Sequence, residues 1–161
     1  MSLRKERLSW FFIGGLLAAV CATAYFVLLP QLQPHLTLRL GDGVFNARFI
    51  SPTEYAKNGN QNIDELRQGK AVLRMYNDEG QWSMEMKDRQ KPFDLVWLDS
   101  KKIVVHIVKN ASAESTPSTR FNSQANARYV IELRGGTVDS KAIRINQEAN
   151  FDEYNIQGLK L

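Results

Sequence analysis

Four charged residues stand where strand patterning turns side chains toward or against a core: Lys87, Asp94, Arg128 and Glu132. Asp94 lies in the run Phe93–Leu98, FDLVWL. Strand alternation puts it on one face with Val96 and Leu98, opposite Phe93, Leu95 and Trp97. An ionised carboxylate in such surroundings needs a partner, because burial without one is costly. Lys87 and Arg128 are the expected partners. Two readings follow. In one, Asp94 makes an ion pair that sets strand register; in the other, it is a ligand-binding or acid/base carboxylate with a perturbed pKa. On the second reading Asp94 is the candidate catalytic residue, and no other residue is assigned that role. Arg128 and Glu132 share a strand face across Val130, which fits a same-face ion pair. Together the four are the candidate ligand-binding set.

Other chemistries find less support. Asp94 and Asp99 are five residues apart and point to opposite faces of one strand, so they do not form a catalytic carboxylate pair. Asp99, in Asp99-Ser100-Lys101, reads as a turn-former. His35 and His106 are the only histidines, too few for a histidine-rich metal site, and His106 reads as a strand-surface residue. The one cysteine, Cys21, lies in the apolar N-terminal run. The remainder therefore has no disulfide and no cysteine-based metal site. No cofactor is expected, since no phosphate loop, dinucleotide fingerprint, nucleophile elbow or zinc helix occurs. The formal charge is +4, but Arg4, Lys5, Glu6 and Arg7 hold +2 of it. The evenly charged remainder lacks the basic footprint of nucleic-acid binding.

The elements that must position these residues follow a period of two. Strands are expected over Leu36–Leu40, Val44–Ile50 and Ala71–Tyr76, with Gly41-Asp42-Gly43 and Asn77–Gly80 as turns. Pro52 and the capping-box pattern Asn62-Ile-Asp-Glu65 predict one or two short helices between the second and third strands. Trp82-Met84-Met86 and Phe93-Leu95-Trp97 predict two strands joined by a polar hinge. Lys102–Val108, Ala127–Leu133 and Ala142–Ile145 complete the strand set. Residues 109–126 read as a long loop, of the kind that is more often functional or mobile. Phe151, Tyr154 and Ile156 could pin the polar tail to the domain. Short strands between turns predict a mainly β, compact antiparallel sandwich or barrel-like domain over residues 36–161.

Leu8–Leu29 holds 22 residues without a charge. As a helix it spans roughly 33 Å, enough to cross a hydrocarbon core of about 30 Å. Basic residues crowd only its N-terminal flank, so residues 1–7 are expected in the cytoplasm and the domain outside. Pro30 stops the helix, and residues 30–35 form a short spacer. A cleaved signal peptide is the competing reading. Ala22-Thr23-Ala24 has the small-x-small spacing of a cleavage site, and cleavage after Ala24 would give a secreted or periplasmic domain. Phe26-Val27-Leu28-Leu29 extends the apolar run past that site, which favours a retained single-pass anchor.

Met86-Lys87, Pro92-x-Asp94, Trp97-Leu98-Asp99, Val104-Val105 and Ala127-Arg128-Tyr129-Val130-Ile131-Glu132-Leu133 with Gly136-Thr137 resemble, in order and spacing, the domain-of-unknown-function 192 family. The resemblance covers about residues 36–145. It implies a compact β-sandwich or barrel-like domain, commonly exported, with no established biochemical activity. There are departures. Glu85 replaces the usual aromatic beside Met-Lys, with Trp82 as a displaced candidate, and Arg89 replaces a threonine. The cysteines that many members carry before Ala-Arg-Tyr are absent. The function expected is a non-enzymatic binding or assembly module at the cell envelope, with an envelope protein or small ligand as partner. The alternative is a hydrolase-like small-molecule enzyme using Asp94.

Overall fold

The computed structural model describes residues 35–51, 66–85, 91–112 and 120–152, all within the unit Pro34–Leu161. The segment expected to cross a membrane, the cytoplasmic stub and the short helices expected over 52–65 lie outside the described residues. Among the described residues no helix is long and apolar enough to cross a membrane.

The domain is mainly β. Among the described residues its strands are β1 (His35–Leu40), β2 (Gly43–Ile50), β3 (Lys70–Gly80), β4 (Ser83–Glu85), β5 (Phe93–Leu98), β6 (Val104–Ala111), β7 (Arg120–Asn122) and β8 (Ala127–Arg134), followed by a one-turn helix α1 (Thr137–Ser140). Six strands form one sheet in the order β1-β2-β3-β8-β5-β6, and β4 pairs with β7 in a separate ribbon. All pairings are antiparallel except β2 with β3, which run parallel. A parallel pair needs a long return connection, and residues 51–69 supply it.

The sheet rolls up rather than forming a sandwich. Asn150 exchanges both backbone hydrogen bonds with Arg39 of β1 at 2.9 Å. A few residues earlier, the same segment donates from Ala149 N–H to Lys102 C=O and accepts at Gln147 C=O from Val104 N–H beside β6. Residues 146–150 thus join the two outer strands into a barrel-like closure, which satisfies edges that would otherwise stay open.

The alternation of β5 divides its side chains between two cores. Val96 and Leu98 join Leu38, Phe45, Leu73, Tyr129, Ile131 and Phe151 inside the barrel. Phe93, Leu95 and Trp97 pack outside it with Met84, Ala127 and Val130. The β4–β7 ribbon brings Met84 and Phe121 onto this outer core. It is held to the loop before β8 by Ser123, which donates from its N–H to Trp82 C=O at 2.8 Å and accepts from Trp82 N–H at Oγ.

Several expectations are corrected. The Trp82–Met86 and Phe93–Trp97 runs do not pair with each other: β4 pairs with β7, whereas β5 lies between β6 and β8. Asn77–Gly80 continues β3 through a register shift instead of turning. The expected long loop contains the end of β6 and all of β7. Ala142–Ile145 is not a strand: it is the irregular exit from α1, with Ala142 at φ 50°, and α1 buries Val138 against the inner core.

Candidate functional site

Asp94 is fully buried, and its surroundings follow from an irregularity in β6. Phe93 pairs with Ala111 and Leu95 with Val108, so Lys109 and Asn110 together oppose the single residue Asp94. That is a β-bulge, and it takes Asn110 out of the regular ladder, with φ at 52°. The Asp94 carboxylate supplies the missing acceptor: Oδ1 takes the Asn110 N–H at 2.9 Å. Oδ2 takes the Val138 N–H in the first turn of α1 at 2.7 Å. Helix starts leave such N–H groups without intrahelical partners, and Gly136 at the N-cap has no side chain to offer.

Among the described residues the partners of Asp94 are these two backbone N–H groups. Lys87 lies outside the described residues. Arg128 is far along the barrel: Asp94 pairs with Leu133 of β8, and five residues separate Leu133 from Arg128, about 16 Å at strand rise. Asp99 does form its turn, accepting the N–H groups of Lys101 at 2.9 Å and Ile103 at 2.8 Å.

Glu132 is also fully buried, but on the outer face. It pairs with Arg74 of β3, whose Nε donates to Oε1, and not with Arg128 as its same-strand spacing suggests. Register decides this. Arg74 stands opposite Val130 and Val72 opposite Glu132, so Arg74 and Glu132 are diagonal neighbours across two strands. Arg74 also lines a small cavity of about 130 Å³ with Tyr76, Ser83 and Met84. The Arg128 Nε is buried and has no hydrogen-bond partner among the described residues.

His106 pairs with Trp97 across β5 and β6, with ring centroids 5.4 Å apart. It is half-buried rather than a surface residue, and desolvation lowers its pKa from the usual histidine value. The Trp97 Nε1 and His106 Nε2 are buried without a hydrogen-bond partner among the described residues. Also among the described residues, no three His, Cys, Asp or Glu side chains gather into a metal-holding group.

A concave feature lies next to the Asp94 scaffold, on the outer surface. It is a cleft of about 490 Å³ whose described lining is Leu66, Arg67, Lys91, Pro92, Phe93, Arg134 and Gly135. Arg134 stands directly opposite Phe93 in the β5–β8 register. Gly135 is held by its N–H to Pro92 C=O at 3.1 Å. A Cβ at Gly135 would come within 2.8 Å of Asn110 Oδ1 and 3.0 Å of Pro92 C=O, so a side chain here would have to displace the Asn110 amide. Asp94 therefore holds the two segments flanking Gly135, the β6 bulge and α1, without reaching the cleft itself.

A model of the family DUF192, described as uncharacterized ACR, matches residues 37–151. The chain belongs to the DUF192 family. No curated protein matches it in sequence. Two solved structures share the fold. One is a candidate transcription regulator from Sinorhizobium meliloti 1021, with a TM-score of 0.63 and 18% identity over 73% of this chain and 93% of that one. The other is a protein of unknown function from Novosphingobium aromaticivorans DSM 12444, with a TM-score of 0.61 and 18% identity over 72% of this chain and 83% of that one. At that identity the likeness shows the fold alone.

The DUF192 domain thus separates the three expected site residues that are described. Asp94 anchors one end of the barrel, Glu132 pairs on the outer face, Arg128 lies toward the other end of β8, and Lys87 is outside the described residues. The cleft residues Lys91 and Arg134 were not singled out by sequence reasoning. Lys91 stands two positions before β5 and Arg134 is the last residue of β8, and only the β5–β8 register brings them together. Arg74 had a readable signal, as the one charge within Ala71–Tyr76.

Proposed function

We propose that this chain is a single-pass membrane protein whose DUF192 domain acts outside the cytoplasm as a non-enzymatic binding or assembly module. Its seat is the cleft over Phe93. The observation that carries this reading is the composition of the described lining: three cations, Arg67, Lys91 and Arg134, beside the apolar surfaces of Leu66 and Pro92, with Phe93 buried at the same place. Recognition sites commonly combine an apolar lining with a few polar groups. Asp94 fits the same reading. Acid/base chemistry needs a carboxylate within reach of substrate, whereas this one is buried with each oxygen accepting a backbone N–H. The uncharged run Leu8–Leu29 and its basic N-terminal flank support the anchor and its orientation.

The topology is tested with the full chain, tagged after Leu161, in bacterial spheroplasts exposed to external protease. The expected outcome is a protein that stays with the membrane through an alkaline wash and loses its tag to the protease. A tag protected until the membrane is lysed would overturn the orientation. A released product beginning after Ala24 would overturn the anchor.

A further inference from the structure

We infer that the cleft over Phe93 binds an anion that carries an apolar body: a phosphate or carboxylate joined to an aromatic or hydrocarbon group. The inference rests on the reading of the cleft as the binding seat and names what that seat selects. Lys91 and Arg134 are both exposed and make no ion pair with any described residue. No acid is among the described residues lining the cleft. The two cations differ usefully. The Arg134 guanidinium presents a planar fork suited to two oxygens of one anion, whereas the Lys91 ammonium is a compact point charge.

The apolar half of the ligand follows from the floor. Phe93 faces Arg134 across the strand pair, where opposing Cβ atoms stand about 5 Å apart. Phe93 itself is buried, so an anion held by Arg134 places whatever it carries against the accessible apolar lining, Pro92 and Leu66. A volume of about 490 Å³ exceeds the needs of a bare phosphate and suits a small organic anion. The wall is also held in place. Asp94 ties Asn110 and Val138, and Pro92 ties Gly135, and rigid supports make cleft geometry reproducible. A lipid headgroup and a soluble organic phosphate present this same chemistry.

The test uses the full chain in phosphatidylcholine nanodiscs, titrated with phenyl phosphate, phenol and inorganic phosphate at low salt. Phenyl phosphate should bind more tightly than either half alone, and more weakly as salt rises. Lys91→Met and Arg134→Met should each weaken it by about tenfold, a loss of about 1.4 kcal/mol, with an unchanged melting temperature because both side chains are exposed. Nanodiscs containing phosphatidylglycerol separate the sources. A weaker apparent affinity for phenyl phosphate there, absent from the double Met variant, assigns the site to lipid headgroups, and an unchanged affinity assigns it to a soluble anion. If phenol binds as tightly as phenyl phosphate and Leu66→Ala removes it, the cleft is a seat but the anion inference is overturned. If none of the probes binds, or the variants leave their binding unchanged, the cleft is not the seat.

Discussion

A buried carboxylate with two backbone N–H partners is a structural joint, and Asp94 is the clearest one in the domain. It resolves two local defects at once, the Asn110 bulge and the start of α1. Replacing Asp94 with Asn keeps the shape but turns one acceptor into a donor facing an N–H. Hydrogen bonds to charged groups contribute about 1.5–3 kcal/mol, and a buried donor left unmet costs about 1–3 kcal/mol. We expect Asp94→Asn to lower unfolding free energy in urea by about 2–4 kcal/mol. A variant as stable as wild type would return Asp94 to the list of functional carboxylates. The sequence marks Asp94 through its apolar neighbours, but its partners could not be read. Every non-proline residue carries an N–H, so those of Asn110 and Val138, 16 and 44 positions away, leave no trace in residue type.

At the scale of elements, apolar alternation carries far. FDLVWL and ARYVIEL both become strands, and each divides its faces between two cores. Short or irregular pieces were harder to read. The three-residue strands β4 and β7 depend on each other and on the outer core beneath them, and α1 is a single turn. Its exit carries a residual strain that sequence patterning does not reveal: Ala142 sits at φ 50°, a region that alanine disfavours by about 1–2 kcal/mol. Gly pays back part of this through its greater unfolded-state freedom. Ala142→Gly should therefore raise unfolding free energy by about 0.5–1 kcal/mol, measured by urea denaturation. A destabilised variant would show that the Ala142 methyl contributes more by packing than its backbone angle costs.

For the whole molecule, the decisive contacts lie between sequence extremes. Phe151 packs in the inner core with its ring edge-on to Tyr129 at 5.3 Å. Lys102 Nζ donates to its carbonyl at 3.0 Å and lies 4.8 Å above its ring. Phe151→Ala should cost about 3–5 kcal/mol, and hydrogen exchange should show β1 and the start of β6 losing protection together. If only one of the two responded, residues 146–150 would not be acting as a single closure. The tail's apolar residues hinted that it docks, and Phe151 does so. What could not be read is that the docked segment bridges two strands, since that depends on the roll of the sheet. The closure also has a temporal side. During synthesis β1 is among the first parts of the domain to emerge and residues 146–150 among the last, so the barrel's seam cannot form until translation has passed them. Until then the nascent domain presents two unsatisfied strand edges, and any partner that shields them would govern how much of it reaches the native state.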